Sequence, residues 1–273
     1  MSAPDRIAIL GGGAMGEAFA RGLLGAGIVS AGRLRVADRH ETRRTHFAKA
    51  LGVETHDAPA VAVADADVAI VAVKPRSVAG LAAELDGALR SVSLVITIVA
   101  GLDLDRAAEK FQTRSLCRAM PNTPVQVGAG VIAYFPMPGL GARECEWAET
   151  ILRAVGSAVL MEVEGDLDAA TALSGSGPAY VLLFLEAMID AGVHAGLPRA
   201  IARDLALGTI EGTGTLARRS GQHPALLRDA VTSPGGTTAA GLAELEAGRL
   251  RTAVNRAILA AMARSRELGR GPS

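Results

Sequence analysis

Aromatic residues are scarce in this sequence: five Phe, two Tyr and one Trp make up 3% of the chain. A core built with so few is aliphatic and alanine-rich, which favours close-packed helices over an aromatic-rich β sandwich. Cysteine is scarcer still. Cys117 and Cys145 offer no disulfide framework and no metal-ligand pattern, so no metal is expected and a reducing cytoplasm suits the chain. An excess of one charge is also missing, because 28 Lys and Arg balance 28 Asp and Glu. Without a positive field, neither nucleic acid nor an acidic membrane is an expected partner. The opening residues Met-Ser-Ala-Pro-Asp-Arg show no apolar segment of the secretory kind. The apolar run near residues 94–102, broken only by Thr97, falls short of the ~20 residues that span a bilayer. Its length suits a buried strand.

What is present points to a globular protein. Hydrophobic residues reach 49% with a mean hydropathy of +0.29, which excludes a disordered chain. At roughly 100–200 residues per domain, 273 residues make one large or two modest domains. The positive hydropathy also suggests apolar surface covered by a partner subunit rather than by lipid.

The texture changes along the chain. Short apolar runs at 6–10, 34–37, 67–73, 94–99, 115–118, 130–135 and 158–163 alternate early on with helical patterns at 14–26, 41–51 and 77–89. That alternation predicts a parallel sheet covered on both faces. A further helix is expected at 144–155, stopped by Gly156. Beyond Glu164 no strand pattern remains, and helices are expected at 178–195, 198–219, 224–231, 238–247 and 250–268. The expected domains are therefore 1–163, α/β, and 164–273, all-helical.

The first strand runs into Gly11-Gly12-Gly13-Ala14-Met15-Gly16. The G-x-G-x-x-G pattern lies between an apolar strand and a helix, the context that gives it meaning. Gly11 would allow the tight turn, Gly13 the approach of a pyrophosphate and Gly16 close helix packing, with the helix N-terminus offering its N–H groups to the anion. The alternative is an ordinary strand–turn–helix. A kinase-type phosphate loop is excluded, since no Gly-Lys-Ser/Thr follows. About 20 residues on, Asp38 could bind the ribose hydroxyl of NAD, whereas Arg39, Arg43 and Arg44 could hold the 2′-phosphate of NADP or simply form a solvated helix face. Ala72-Val73-Lys74-Pro75 ends another strand at the ligand edge, where Lys74 would contact ribose or phosphate or lie along the surface. Ala100 leaves room for a nicotinamide. Asn122 would bond a bound group or serve as a turn residue before Pro124.

Two loops mark the helical half. Ser174-Gly175-Ser176-Gly177-Pro178 lacks the G-x-S-x-G of a serine hydrolase, so Ser176 reads as a helix cap or a position of close backbone approach. Thr232-Ser233-Pro234-Gly235-Gly236-Thr237-Thr238 opens a helix with converging N–H groups and hydroxyls. It reads equally as a carboxylate site and as a capping turn.

These segments, with Arg118-Ala119-Met120-Pro121-Asn122-Thr123-Pro124, are similar over nearly the whole chain to the pyrroline-5-carboxylate reductase family. The resemblance implies a Rossmann-like N-terminal domain and a C-terminal helical dimerisation domain, with the active site between them and its helical side supplied by the partner protomer. It implies reduction of the cyclic imine 1-pyrroline-5-carboxylate to L-proline in proline biosynthesis, with NADPH as hydride donor and NADH as the alternative. Ser233, Gly235, Gly236 and Thr237 would hold the substrate carboxylate, and Thr238 would bond the ring nitrogen as the catalytic residue. Gly11, Gly13, Ala14, Met15, Gly16, Asp38, Arg39, Ala72, Val73, Lys74, Pro75, Ala100 and Asn122 would line the cofactor. Asp38 departs from the family pattern of Ser or Asn before arginine. NADPH use then requires Asp38 to turn outward while Arg39 meets the 2′-phosphate. A protonated imine is already an electrophile, so positioning replaces a metal or a strong base.

Two other classes compete. A related NAD(P)-dependent imine reductase or β-hydroxyacid-type dehydrogenase would usually carry a lysine on the first long helix of the second domain, and residues 178–195 have none. A non-catalytic dinucleotide sensor could dispense with Thr238. For assembly, the apolar helical half predicts an obligate homodimer, extended to a ring such as a decamer, with Ala191, Gly192, Ala195, Gly208, Gly212 and Gly214 allowing close helix approach.

Overall fold

The computed structural model describes residues 3–270. Residues 1–2 and 271–273, which would complete the two expected domains, lie outside the described residues. The chain forms two compact units, Met1–Ser176 with Ala261–Ser273, and Gly177–Ala260.

The first unit is built on an eight-stranded sheet. Its strands are β1 (Ile7–Leu10), β2 (Leu34–Ala37), β3 (Glu54–His56), β4 (Val68–Val71), β5 (Leu94–Thr97), β6 (Leu116–Met120), β7 (Gly130–Pro136) and β8 (Gly156–Leu160), in the spatial order β3-β2-β1-β4-β5-β6-β7-β8. The first six are parallel, as the alternating pattern predicts. The last two are not: β7 runs antiparallel to β6, and β8 parallel to β7. The expectation of a wholly parallel sheet is corrected here. A parallel return needs a crossover of a dozen or more residues, and only a 3₁₀ turn, Thr123–Val127, joins Met120 to Gly130.

Helices α1 (Ala14–Gly25), α2 (Glu41–Leu51), α3 (Pro59–Val63), α4 (Val78–Leu85), α5 (Leu104–Phe111), α6 (Ala142–Arg153) and α7 (Asp166–Ala170) connect and cover the strands. Strand alternation divides the core. Ile7 and Ile9 pack with Phe19, Leu34 and Phe47 on one face, while Ala8 and Leu10 pack with Val71, Leu81 and Val95 on the other. Besides α7, three of these elements gave no clear sequence signal. β3 is Glu-Thr-His and exists through its pairing with β2. α3 is five residues opened by Pro59. α5 owes its start to Asp103, whose carboxylate accepts from the Arg106 N–H at 2.8 Å. The helix expected at 77–89 is shorter than its pattern, because Asp86 and Gly87 both adopt left-handed backbone and end it. The helix expected to stop at Gly156 already ends at Arg153.

Packing divides the chain between Ser176 and Gly177, later than the change in texture near Glu164. The cause is α7. Leu167 is fully buried against Met120 and Ala133, and Glu164 pairs with the buried Arg118 at 2.8 Å. The end of α12 (Leu250–Arg270) also belongs to this unit, where Ser265 Oγ donates to Asp168 at 2.7 Å.

The second unit contains α8 (Gly177–His194), α9 (Arg199–Ser220), α10 (Pro224–Ala230), α11 (Thr237–Ala247) and the first part of α12. Among its described residues only Ala202 and Ala206 are buried. Of the small residues expected to allow close approach, Gly192 meets the Cβ of Ala202, whereas Gly208, Gly212 and Gly214 face open space. Val181, Leu182, Leu183 and Phe184 stand exposed on α8, and Ile201, Leu205 and Leu216 on α9. By length and composition, the continuous helical stretch Asp166–His194 is apolar enough to cross a membrane; the sequence reading weighed only residues 94–102.

Candidate functional site

The register sets the site in the first unit. Leu10, Val71, Thr97 and Arg118 stand side by side on four parallel strands. The residues just after them share one edge, the carboxyl edge where ligands bind in open α/β sheets. The strand order reverses direction of travel between β1 and β4, at the glycine loop. There Gly11 has φ +111°, and a Cβ on it would lie 2.8 Å from the Ala72 carbonyl oxygen. A Cβ on Gly16 would overlap the Gly11 carbonyl, while one on Gly13 would meet nothing within 4 Å. The loop is thus packed on its inner side and open on its outer side. Gly13 caps α1, and no side chain bonds that helix start. The first N–H groups of α1, from Ala14 and Met15, have no partner within a helix. An open, uncapped helix start with glycines pressed against the sheet fits a pyrophosphate.

At the end of β2 the structure corrects one expectation. Asp38 does not turn outward. Its Oδ2 accepts from the Gly12 N–H and its Oδ1 from the His40 N–H, both at 2.8 Å. The neighbouring arginines also separate. Arg43 donates to the Gly12 carbonyl at 2.6 Å and to Glu17 at 2.7 Å. Arg44 bonds the carbonyls of Asp38 and Arg39. Arg39 is exposed, and among the described residues its guanidinium bonds only His40, at 3.2 Å. Of the three guanidiniums expected near a 2′-phosphate, Arg39 alone makes no bond to backbone or carboxylate among the described residues.

Glu17, which sequence reasoning passed over, is the hub of this corner. It accepts from Arg21, Arg43 and His46 Nε2 at 2.7–3.0 Å. Burial raises its carboxyl, but the bonds from His46, Arg43 and Arg21 outweigh burial and hold the pKa at about 2. The spacing of Glu17 and Arg21 on α1 was the only signal in the sequence. Cys117, by contrast, is buried and its thiol pushed up by that burial, so it stays neutral.

Along the same edge, Ala72 and Val73 lie against Gly11. Lys74 is exposed at the start of a 3₁₀ turn, Pro75–Ser77, and among the described residues its amine has no partner. Ala100 is exposed beyond β5. Asn122 is buried, and its Oδ1 accepts from the Val131 N–H at 2.9 Å. That bond ties Asn122 to β7 and leaves its amide nitrogen and the second lone pair of Oδ1 for another group.

The second unit carries the polar loop before α11. The Gly236 N–H donates to the Ser233 carbonyl at 3.0 Å, and Gly235 has φ +70°. With Pro234 second and a left-handed glycine third, this is a type II turn. The expectation that the Gly236 N–H holds a carboxylate is therefore corrected, because the turn uses it. A side chain at 236 would overlap Ser233 Oγ. Gly236 caps α11 without a side-chain bond, so Thr237 and Thr238 begin that helix with free N–H groups. Among the described residues, the hydroxyls of Ser233, Thr237 and Thr238 make no hydrogen bond. Ser233 and Thr237 are exposed and Thr238 is half-buried.

Fold and glycine loop define a dinucleotide-binding oxidoreductase with an appended helical unit. The comparisons narrow the class. Residues 164–268 match the family described as pyrroline-5-carboxylate reductase dimerisation, and residues 6–101 that described as NADP oxidoreductase coenzyme F420-dependent. A pyrroline-5-carboxylate reductase of Synechocystis is 42% identical over 97% of this chain and 98% of its own. A solved structure of such a reductase from Coxiella burnetii superposes with TM-score 0.91 at 34% identity, covering 97% of this chain and 98% of that one. Another, from Plasmodium falciparum with NADP bound, gives 0.87 at 31% identity over 98% and 100%. This chain belongs to the pyrroline-5-carboxylate reductase family.

Proposed function

We propose that the chain reduces 1-pyrroline-5-carboxylate to L-proline with a nicotinamide dinucleotide. The observation that carries the reading is the pair of open helix starts, Gly13–Gly16 and Gly236–Thr238, in a member of this family. The first would take the pyrophosphate, with Ala14 and Met15 offering N–H groups, and Ala72, Val73, Lys74, Pro75, Ala100 and Asn122 lining the remaining length of the cofactor. When bound, that cofactor supplies the hydride for the ring carbon. The second helix start would hold the substrate carboxylate, through the N–H groups of Gly235, Thr237 and Thr238 and the Ser233 hydroxyl. Thr238 Oγ1 would accept a hydrogen bond from the protonated ring nitrogen and orient the C=N bond. No base is needed, since the iminium is already electrophilic.

NADPH is the preferred donor in this reading, with NADH as the alternative. Arg39 is the guanidinium left for a 2′-phosphate, and two N–H groups draw the Asp38 charge toward the loop. A homodimer completes the second unit, and a decameric ring is the larger assembly we propose, in the cytoplasm. The exposed apolar residues of α8 lie within the segment matching the dimerisation family, which supports a second copy rather than lipid as their cover. The test is the oxidation of NADPH and of NADH in the presence of pyrroline-5-carboxylate, followed by absorbance. Turnover with neither donor would sink the reading, and a higher kcat/KM with NADH would reverse the cofactor preference.

A further inference from the structure

Gly12 is held at both of its backbone groups by side chains from outside the glycine loop. Its N–H donates to Asp38 at the end of β2, and its carbonyl accepts from Arg43 Nε in the first turn of α2 at 2.6 Å. Arg43 is itself fixed. Its NH2 group donates to Glu17 Oε2 at 2.7 Å, and its guanidinium carbon lies 5.4 Å from the centre of the Phe47 ring. Glu17 stands in the first turn of α1 and is braced in turn by Arg21 and His46. There is no slack at Gly12, where a Cβ would lie 3.0 Å from Phe47 Cε2.

The consequence follows from peptide geometry. The Gly12 carbonyl and the Gly13 N–H belong to one planar trans peptide and point in opposite directions. Drawing the carbonyl toward Arg43 aims the Gly13 N–H the other way, away from Arg43, at a residue where a Cβ would meet nothing within 4 Å. Two of the five N–H donors of Arg43 are held by a carbonyl and a carboxylate, which with the Phe47 ring fix where the guanidinium lies. Glu17, shared with Arg21 and His46, also offsets part of the Arg43 charge and so weakens its pull on an anion.

We propose that Arg43 and Glu17 are positioning residues that aim the Gly13 N–H at the cofactor pyrophosphate through the Gly12–Gly13 peptide, and that Arg43 takes no part in selecting NADPH over NADH. The inference rests on the dinucleotide reading of the glycine loop.

The experiment is calorimetric titration of the full-length protein with NADPH, NADH and adenosine 2′-monophosphate, which carries the 2′-phosphate and lacks the pyrophosphate. Arg43→Met keeps the apolar stem over Phe47 and removes both bonds. It should weaken NADPH and NADH alike, by about tenfold, and leave adenosine 2′-monophosphate binding and the KM for pyrroline-5-carboxylate unchanged. Arg43→Lys, which retains a donor and the charge, should recover part of the loss. Glu17→Gln should weaken both dinucleotides by less than Arg43→Met. Loss confined to NADPH and adenosine 2′-monophosphate would make Arg43 a 2′-phosphate ligand and overturn the inference. Unchanged binding of all three ligands to Arg43→Met would overturn it as well. If that variant does not fold, Arg43→Lys and Glu17→Gln decide between the same patterns. A wild-type protein that binds neither NADPH nor NADH would instead overturn the dinucleotide reading beneath it.

Discussion

In the first unit Ile7, Ile9, Phe19 and Phe47 are fully buried on one face of the sheet, and Leu10, Val71 and Leu89 on the other. In the second, Leu182, Leu183 and Phe184 stand largely exposed, and two alanines are all that is buried among the described residues. A sheet flanked by connecting helices closes on itself, because each crossover lays an apolar helix stripe on an apolar face. The helices of the second unit have apolar residues on several sides and too few neighbours to cover them. Helices of this length owe most of their stability to tertiary packing, so in the proposed homodimer the second unit depends on another copy of the chain in a way the first does not.

The sharpest way to break this contrast is a charge on α8. Leu183→Asp should raise the dimer dissociation constant by at least about a hundredfold, since burying an unpaired carboxylate costs several kcal/mol. Activity should fall with the dimer. Sedimentation velocity at micromolar concentration reads this directly, and an active wild-type monomer would erase the distinction between the units. Next in size is Thr238→Ala on α11, which should lower kcat/KM by about 10- to 1,000-fold while leaving dinucleotide titrations unchanged. Wild-type kcat/KM in that variant would remove Thr238 from the mechanism.

Within the self-sufficient unit, Leu167→Ala should cost about 2–5 kcal/mol of unfolding free energy, measured by denaturant titration, because Leu167 is fully buried. A neutral result would detach α7 from the first core and return the division to the point where the sequence changes texture. The smallest effect concerns Glu17. Its carboxyl is depressed from 4.5 to about 2 in the folded chain, so its contribution to stability is present above the unfolded value and is lost as pH falls through the folded one. The difference in Tm between wild type and Glu17→Gln should hold at neutral pH and shrink below about pH 4.5. A difference that grows on acidification would reverse the sign argued here.

Much of this molecule was legible before its fold. The β1–glycine–α1 passage could be read because strand, turn and helix are local, and each glycine answers a steric demand within a few residues of itself. The Ser233–Thr238 loop was legible for the same reason, down to its position at a helix start. Short edge elements were not: Glu54–His56 has no apolar alternation and becomes a strand only when β2 offers its edge.

The sequence by itself determined the class of fold, the order of the two halves, the family and the two helix starts. Those depend on local periodicity and on turn chemistry. Only the tertiary structure decided that β7 turns back against β6, that α7 joins the sheet, and that the Gly236 N–H is spent inside its own turn. It also decided the fate of the charges after β2. Arg39, Arg43 and Arg44 are all candidates for a 2′-phosphate on paper, yet packing of α2 against the glycine loop brings Arg43 to Glu17 and Gly12, ties Asp38 to Gly12, and leaves Arg39 outside. Which of several neighbouring charges stays free depends on which partners the fold carries to them, and those partners here are separated by more than twenty residues of chain.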